Sequence, residues 1–340
     1  MPGKPRAIHF TKLLALPIVA CLAAGSGAAA AEKIKVALAL PGAVSDKGFN
    51  ASAHAGLMLI KKTLGDKVEV AFSESVKRPD FVATLRDYAN RGYNAIYAHG
   101  FQWGDAIAKV AAENPDKYFF NTYGSGKAKN LANLYVSFQE LFYVTGQLAA
   151  KLSKADVIGA VGGWEIPPIR IQVDAFRKGV QAAKPKAKFV AIYTGTFYDA
   201  VKGKEAARAV ISQGADIVAH MADATGLGVI QAAKEKKVPV IGYFADQRSL
   251  APGLVASSAV IKVDDMLLKS IRSVIAGKFN PGPNRFGLAS GVLEVGPYGP
   301  MVPDNVKAEI AKLVADIKSG AVKVPAPNVP ALMKQKINKL

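Results

Sequence analysis

From Lys33 onward the chain alternates short, β-rich apolar runs with segments of helical period, and halfway along the alternation begins again. Ile34–Leu40 is apolar but for Lys35 and is closed by Pro41-Gly42. The pattern predicts strands at 34–40, 68–72, 95–98, 117–121 and 134–136, with helices at 48–64, 80–90 and 105–112. It then predicts helices at 141–152, 169–183, 204–213 and 226–236, with strands at 157–161, 189–193, 217–220 and 238–242. Apolar strands spaced by helices form parallel sheets covered on both faces. The expected class is therefore α/β, with two doubly wound lobes of one plan. A strand at 254–260, a helix at 264–276, a strand at 287–295 and a helix at 304–318 follow. The Pro- and Lys-rich tail from 322 is expected to wrap a surface. The first lobe is expected to take residues 32–136 plus 254–282, the second 137–253 plus 283–340.

The segment before Lys33 has a different character. Lys4, Arg6 and Lys12 precede an uncharged, mostly apolar run from Leu13 to Gly25, and Ala28–Ala31 supplies small residues for cleavage. This is the pattern of a secretory signal peptide over residues 1–31, too short to span a bilayer comfortably. Ile18–Cys21 also fits the loose lipoprotein pattern, which would acylate Cys21; the alanine-rich site downstream favours ordinary cleavage. No later stretch is long and apolar enough to span, so a periplasmic, soluble or tethered product is expected.

Removing Lys4, Arg6 and Lys12 lowers the net charge from +18 to +15. Such a charge suggests nucleic acid. The basic residues are instead scattered, as at Lys61-Lys62 and Lys184-Lys186-Lys188, with no nucleic-acid-binding motif. An anionic envelope surface suffices as their partner.

Doubly wound sheets bind ligands beyond the carboxyl ends of their strands. The loops there carry Ser45, Asp46, Phe49 and Asn50; Phe101 and Trp103; Trp164 and Glu165; Phe197; Asp223; and Phe244 and Asp246. Five of these six loops hold a large aromatic residue, although aromatics make up only 8% of the chain. Rings interleaved with Asp, Asn and Ser suit a flat ligand with polar edges. Enzyme signatures are weak. His54, His99 and His220 are isolated, and no nucleophile elbow or metal-ligand spacing is present. Gly124–Lys127 and Gly203-Lys204 fall short of a phosphate loop. A binding protein without metal or cofactor is expected, not an enzyme.

The order and spacing of several motifs carry a resemblance. They include Asp46-Lys47-Gly48-Phe49-Asn50, Gly100-Phe101 and Asn114-Pro115-Asp116. Gly146–Ala150, Gly162-Gly163, Gly195–Asp199, Lys202–Ala206, Gly226–Gly228, Asp246-Gln247 and Ser258–Lys262 complete them. From about Lys33 to about Pro325 the chain resembles the basic membrane protein family of substrate-binding proteins for ABC transporters. The resemblance implies a type I periplasmic-binding-protein fold, its lobes joined by three crossovers, near 135–141, 247–253 and 280–286. It implies a monomer that closes on its ligand and docks on a membrane permease. Nucleoside-binding members suggest base contacts for Asp46, Phe49, Asn50 and Phe197, and a role for Lys262.

The chain departs from that pattern in three places. Gly48 replaces a usual serine, and Trp164 stands where a smaller residue is usual. Phe244 occupies the position of an aspartate that holds ribose hydroxyls. A phenyl ring cannot accept those protons, and each hydroxyl buried unpaired costs about 1–3 kcal/mol. The expected ligand is therefore a free purine base; the alternatives are a nucleoside, or a sensor role in place of transport.

Overall fold

The computed structural model describes residues 1, 3, 33–46 and 48–334. The expected signal peptide (Met1 and Gly3 apart), Cys21 and Lys47 lie outside the described residues. The elements run β1 (Ile34–Ala39), α1 (Phe49–Leu64), β2 (Val68–Ser73), α2 (Phe81–Asn90), β3 (Ala95–His99), α3 (Gly104–Glu113), β4 (Tyr118–Thr122) and β5 (Leu131–Val136). Then come α4 (Phe138–Leu152), β6 (Val157–Gly162), α5 (Pro167–Ala183), β7 (Lys188–Tyr193), α6 (Ala200–Ser212), β8 (Ile217–Met221), α7 (Thr225–Lys236), β9 (Val240–Phe244) and β10 (Val255–Ile261). The chain closes with α8 (Val263–Ile275), β11 (Gly282–Phe286), β12 (Leu293–Val295), α9 (Asp304–Ser319) and α10 (Val329–Lys334).

These strands form two sheets of one plan, ordered β2-β1-β3-β4-β5-β11 and β7-β6-β8-β9-β10-β12. Every pairing is parallel except that of the edge strand β12, which runs antiparallel to β10. The inner strands β3, β8 and β9 are buried along their whole length, because both of their faces are covered by helices. The fold is thus the α/β doubly wound class that the alternation implied.

The chain passes between the sheets three times, but not at all the expected places. It leaves the first sheet after β5, as expected. β9 and β10 pair directly, so no crossing occurs at 247–253; the second crossing is at Lys262, between β10 and α8. There α8 returns to the first half, where Tyr97 Oη lies 2.8 Å from Ser270 Oγ. The third crossing follows β11 instead of preceding it. Val255–Ile261 therefore belongs to the second sheet and residues 283–286 to the first, the reverse of the expected division. The single strand expected at 287–295 is two features, since Leu288–Ser290 is a helical turn and Gly291 has a left-handed φ of 76° before β12.

Two glycines set the seam of the second half. A Cβ on Gly146 of α4 would lie 2.1 Å from the Phe176 carbonyl oxygen, and one on Gly179 of α5 would lie 2.0 Å from that of Tyr143. With no side chains there, α4 and α5 lie backbone to backbone. That contact fixes α5, whose start reaches the cleft. The tail packs α10 against α5, with Leu332 buried.

Candidate functional site

A cavity of about 570 Å³, counting its mouth, lies among the loops at the carboxyl ends of the strands. Eight aromatic rings line it: Phe49, Phe101, Tyr123 and Phe138, and Phe197, Tyr198, Tyr243 and Phe244. Pro41, Gln102, Ile166, Pro168, Ile169, Gln172 and Asp223 fill the gaps. The two halves meet across it, with the Phe49 and Phe244 rings edge to face at 5.7 Å between centroids.

Backbone geometry turns several of these side chains inward. Tyr123 and Phe244 sit at the ends of β4 and β9 with φ of 60° and 66°, and Asp223 follows β8 with φ of 45°. A left-handed backbone costs a non-glycine residue about 1–2 kcal/mol. Such strain gathers where structure serves a site. Phe197 gains its place from Gly163, since a Cβ there would lie 2.3 Å from the Phe197 ring.

Phe49 is held from behind. Its ring lies 3.9 Å from that of His99 between centroids, and its carbonyl oxygen is 3.0 Å from His99 Nε2. That oxygen can only accept, so Nε2 donates. Nδ1 is then the acceptor for the Thr122 hydroxyl, at 2.8 Å. Burial pushes His99 down to about 3, which keeps the imidazole neutral. His220 at the end of β8 is the counterpart: Nε2 meets Gln247 Oε1 at 2.8 Å, and burial lowers it to about 4.

The cavity has few polar atoms. The Tyr123 hydroxyl, Gln172 Oε1 and Asp223 Oδ1 are shielded from water and have no hydrogen-bond partner among the described residues. Buried polar groups are rarely left unpaired. Burial, with a smaller contribution from the Asp46 charge, pushes the Asp223 carboxyl up to about 8. Burial also raises the Tyr123 and Tyr243 phenols, so both stay neutral.

Of the thirteen residues singled out in the sequence, Phe49, Phe101, Phe197, Asp223 and Phe244 line the cavity. The others are placed elsewhere. Ser45 lies in the turn after β1, outside the lining. Asp46 caps α1: its carboxylate accepts from the backbone N–H groups of Gly48, Asn50 and Ala51 at 3.0, 2.7 and 2.9 Å. Asn50 is buried and braces that turn, donating to Asp46 at 2.7 Å and accepting from Gly42 N at 3.2 Å. Trp103 is wholly buried and stacks on Phe81 at 3.6 Å, in the core beneath its loop. Trp164 is 51% exposed and outside the lining. Glu165 pairs with Arg170, Asp246 with Arg248 at 2.8 Å, and Lys262 at the second crossing with Glu294.

Sequence reasoning missed Tyr123, Phe138 and Gln172. The first two follow strands, so the rule that found Phe197 could have found them. Gln172 projects from within α5, three residues after Ile169, and only the helical spacing of Ile166, Ile169 and Gln172 marks that face.

Two doubly wound sheets with a ring-lined cavity at their strand ends define a fold of the periplasmic-binding-protein type. The family model for ABC transporter substrate-binding proteins of the PnrA-like kind (Bmp) matches residues 33–328. A purine-binding protein of Brucella abortus (strain 2308) is 29% identical over 308 residues, covering 90% of this chain and 87% of the relative. Basic membrane protein A1 of Borrelia garinii is 32% identical over 330 residues, covering 92% and 96%. A solved ABC transporter solute-binding protein from Conexibacter woesei superposes with a TM-score of 0.70 at 27% identity, covering 87% and 99%. The chain belongs to the Bmp family of ABC transporter substrate-binding proteins. Members of such families bind a small ligand and a permease. No helix among the described residues is long and apolar enough to cross a membrane, and no cluster there could hold a metal ion.

Proposed function

We propose that the protein captures a free purine base outside the cytoplasmic membrane and delivers it to an ABC importer, without chemical turnover. The observation that carries this reading is the ring of eight aromatics closed by Phe244 against Phe49, with three polar atoms of its described lining shielded from water and unpartnered. Stacking on aromatic faces contributes about 1–3 kcal/mol per base and tolerates any planar ring. A ribose would need partners for its hydroxyls, and the phenyl edge of Phe244 offers none. The purine-binding relative supports the ligand class.

Phe49, Phe101, Phe197 and Phe244 would grip the ring faces, and the loops from both sheets would close over the base. Ligand touching both halves stabilises the closed form by its differential affinity. The two lobes would turn about the crossings after β5, at Lys262 and after β11. The signal-peptide pattern at 1–31 supports a periplasmic place, and a cavity lined by one chain is in keeping with a monomer.

A nucleoside ligand is favoured by one observation. A wider space shares Phe101, Tyr123, Phe138 and Pro168 with the cavity and is bordered by Ser125, Gln139 and Arg285, where a sugar could find polar groups. Mass spectrometry of small molecules released from purified protein by denaturation decides between them. A purine base is expected; recovery of nucleosides alone would overturn the free-base reading.

A further inference from the structure

Asp223 stands where a helix cap would be ordinary, one residue before Ala224 and the start of α7. It does not cap. No side-chain cap bond forms at that helix start, and only the Asp223 backbone carbonyl contributes, accepting from Gly226 N at 2.9 Å. The side chain instead lines the cavity, on a left-handed backbone. The residue is partly exposed, yet Oδ1 is shielded from water and unpartnered.

The groups facing it, among the described residues, are Asp46 from the turn before α1, Tyr123 after β4, Tyr198 before α6 and Tyr243 on β9. None is a cation. The Asp46 carboxylate is held by the N–H groups it caps. A second carboxylate beside it would meet both like charge and an apolar cage. Gly48 leaves the approach open: a Cβ there would still lie 3.9 Å from Asp223 Oδ1.

We infer that Asp223 meets the ligand as a neutral carboxylic acid, donating one hydrogen bond and accepting another along a single edge, so that the site selects a heterocycle with an acceptor beside a donor. The inference rests on the purine reading and deepens it. A neutral carboxyl has one donor and a free acceptor oxygen, and a planar edge with the complementary pair satisfies both. Adenine, guanine and hypoxanthine in their 9H forms carry such an edge, an N3 acceptor beside the N9–H donor. A nucleoside has lost this N3/N9 edge, because the sugar replaces that proton, and keeps only the edges on the far side of the base.

The test is calorimetry of adenine with the full chain from pH 6 to pH 9.5, on wild type, Asp223→Asn and Asp223→Ala. Asparagine fixes the donor and acceptor of the neutral acid, so Asp223→Asn should bind within about threefold of wild type at pH 7. Asp223→Ala should lose at least about tenfold. Wild-type affinity should be flat below pH 8 and fall above it as Asp223 ionises, and Asp223→Asn should lack that fall. If Asp223→Asn loses as much as Asp223→Ala, or if wild-type affinity rises through pH 8, Asp223 acts as a carboxylate and the inference is overturned.

A ligand-free arm separates this from the purine reading. A carboxyl raised in the folded state, against about 4 in the unfolded chain, favours folding at low pH and loses that contribution as pH climbs toward its folded value. The Tm of wild type should therefore fall against that of Asp223→Asn by several degrees between pH 5 and pH 8. Parallel Tm curves would sink the neutral acid whatever binds. Divergent Tm curves together with no calorimetric binding of any purine base would sink the purine reading and leave the neutral acid standing.

Discussion

The two halves share a plan down to single residues, yet they offer a ligand different things. Each carries a buried neutral histidine in the last two residues of a central strand, His99 or His220, and each places an aromatic with left-handed φ at the end of β4 or β9, Tyr123 or Phe244. The first half presents mostly ring faces to the cavity, with Phe49 braced by His99. The second half brings Gln172 and Asp223 together with its rings, against the single Tyr123 hydroxyl among the shielded, unpartnered atoms of the first. We propose that one scaffold, used twice, divides affinity from discrimination: the rings of the first half grip a flat molecule, and Gln172 and Asp223 of the second bear most on which edge it must carry.

The largest effect expected tests which aromatics belong to the scaffold. Trp103→Ala removes a wholly buried ring stacked on Phe81 and should cost about 3–5 kcal/mol of stability in denaturant unfolding. Whatever protein remains folded should bind as before. An affinity loss without a stability loss would return Trp103 to the site.

Phe49→Ala comes next. It should lower affinity by about 1–3 kcal/mol for adenine, guanine and hypoxanthine alike, because stacking does not read edges. A change in rank order among those bases would erase the division between the halves. Gln172→Leu should do the opposite, shifting the preference between bases by up to about tenfold. Gln172 also bonds the Tyr243 hydroxyl, so some stability should go as well. Smallest of all, Trp164→Ala and Lys262→Ala should change affinity by less than about threefold, since one side chain is half exposed and the other is paired with Glu294 outside the cavity. Larger losses would show that the bound form recruits residues the cavity lining omits.

The sequence made the architecture legible where local signals agree. Ile34–Ala39 and Phe49–Leu64 stand out because an apolar run ends at Pro41-Gly42 before helical spacing begins. The edge strand β11 was not legible. Its Gly-Pro-Asn-Arg-Phe sequence is polar and carries Pro283, which an edge tolerates because one side of the strand needs no partner. The division of the late strands failed for the same reason, since membership of a sheet is decided by long-range pairing that no local run encodes.

In the site, strand-end loops pointed to Phe49, Phe197, Asp223 and Phe244. They misplaced Trp103, because the helical turn Phe101–Trp103 directs that indole back toward Phe81. Asp46 lay in the right loop but serves the start of α1, and the carboxyl of the cavity is Asp223.

The central claim is that Phe244 closes the cavity to sugars while the rings hold a bare base. Calorimetry of adenine against adenosine, on wild type and on Phe244→Asp, tests it most directly. Wild type should bind adenine at least about tenfold more tightly than adenosine, the scale of one buried hydroxyl left unpaired, and Phe244→Asp should narrow or reverse that ratio. Tighter binding of adenosine by wild type, or a ratio that Phe244→Asp leaves unchanged, would contradict the account.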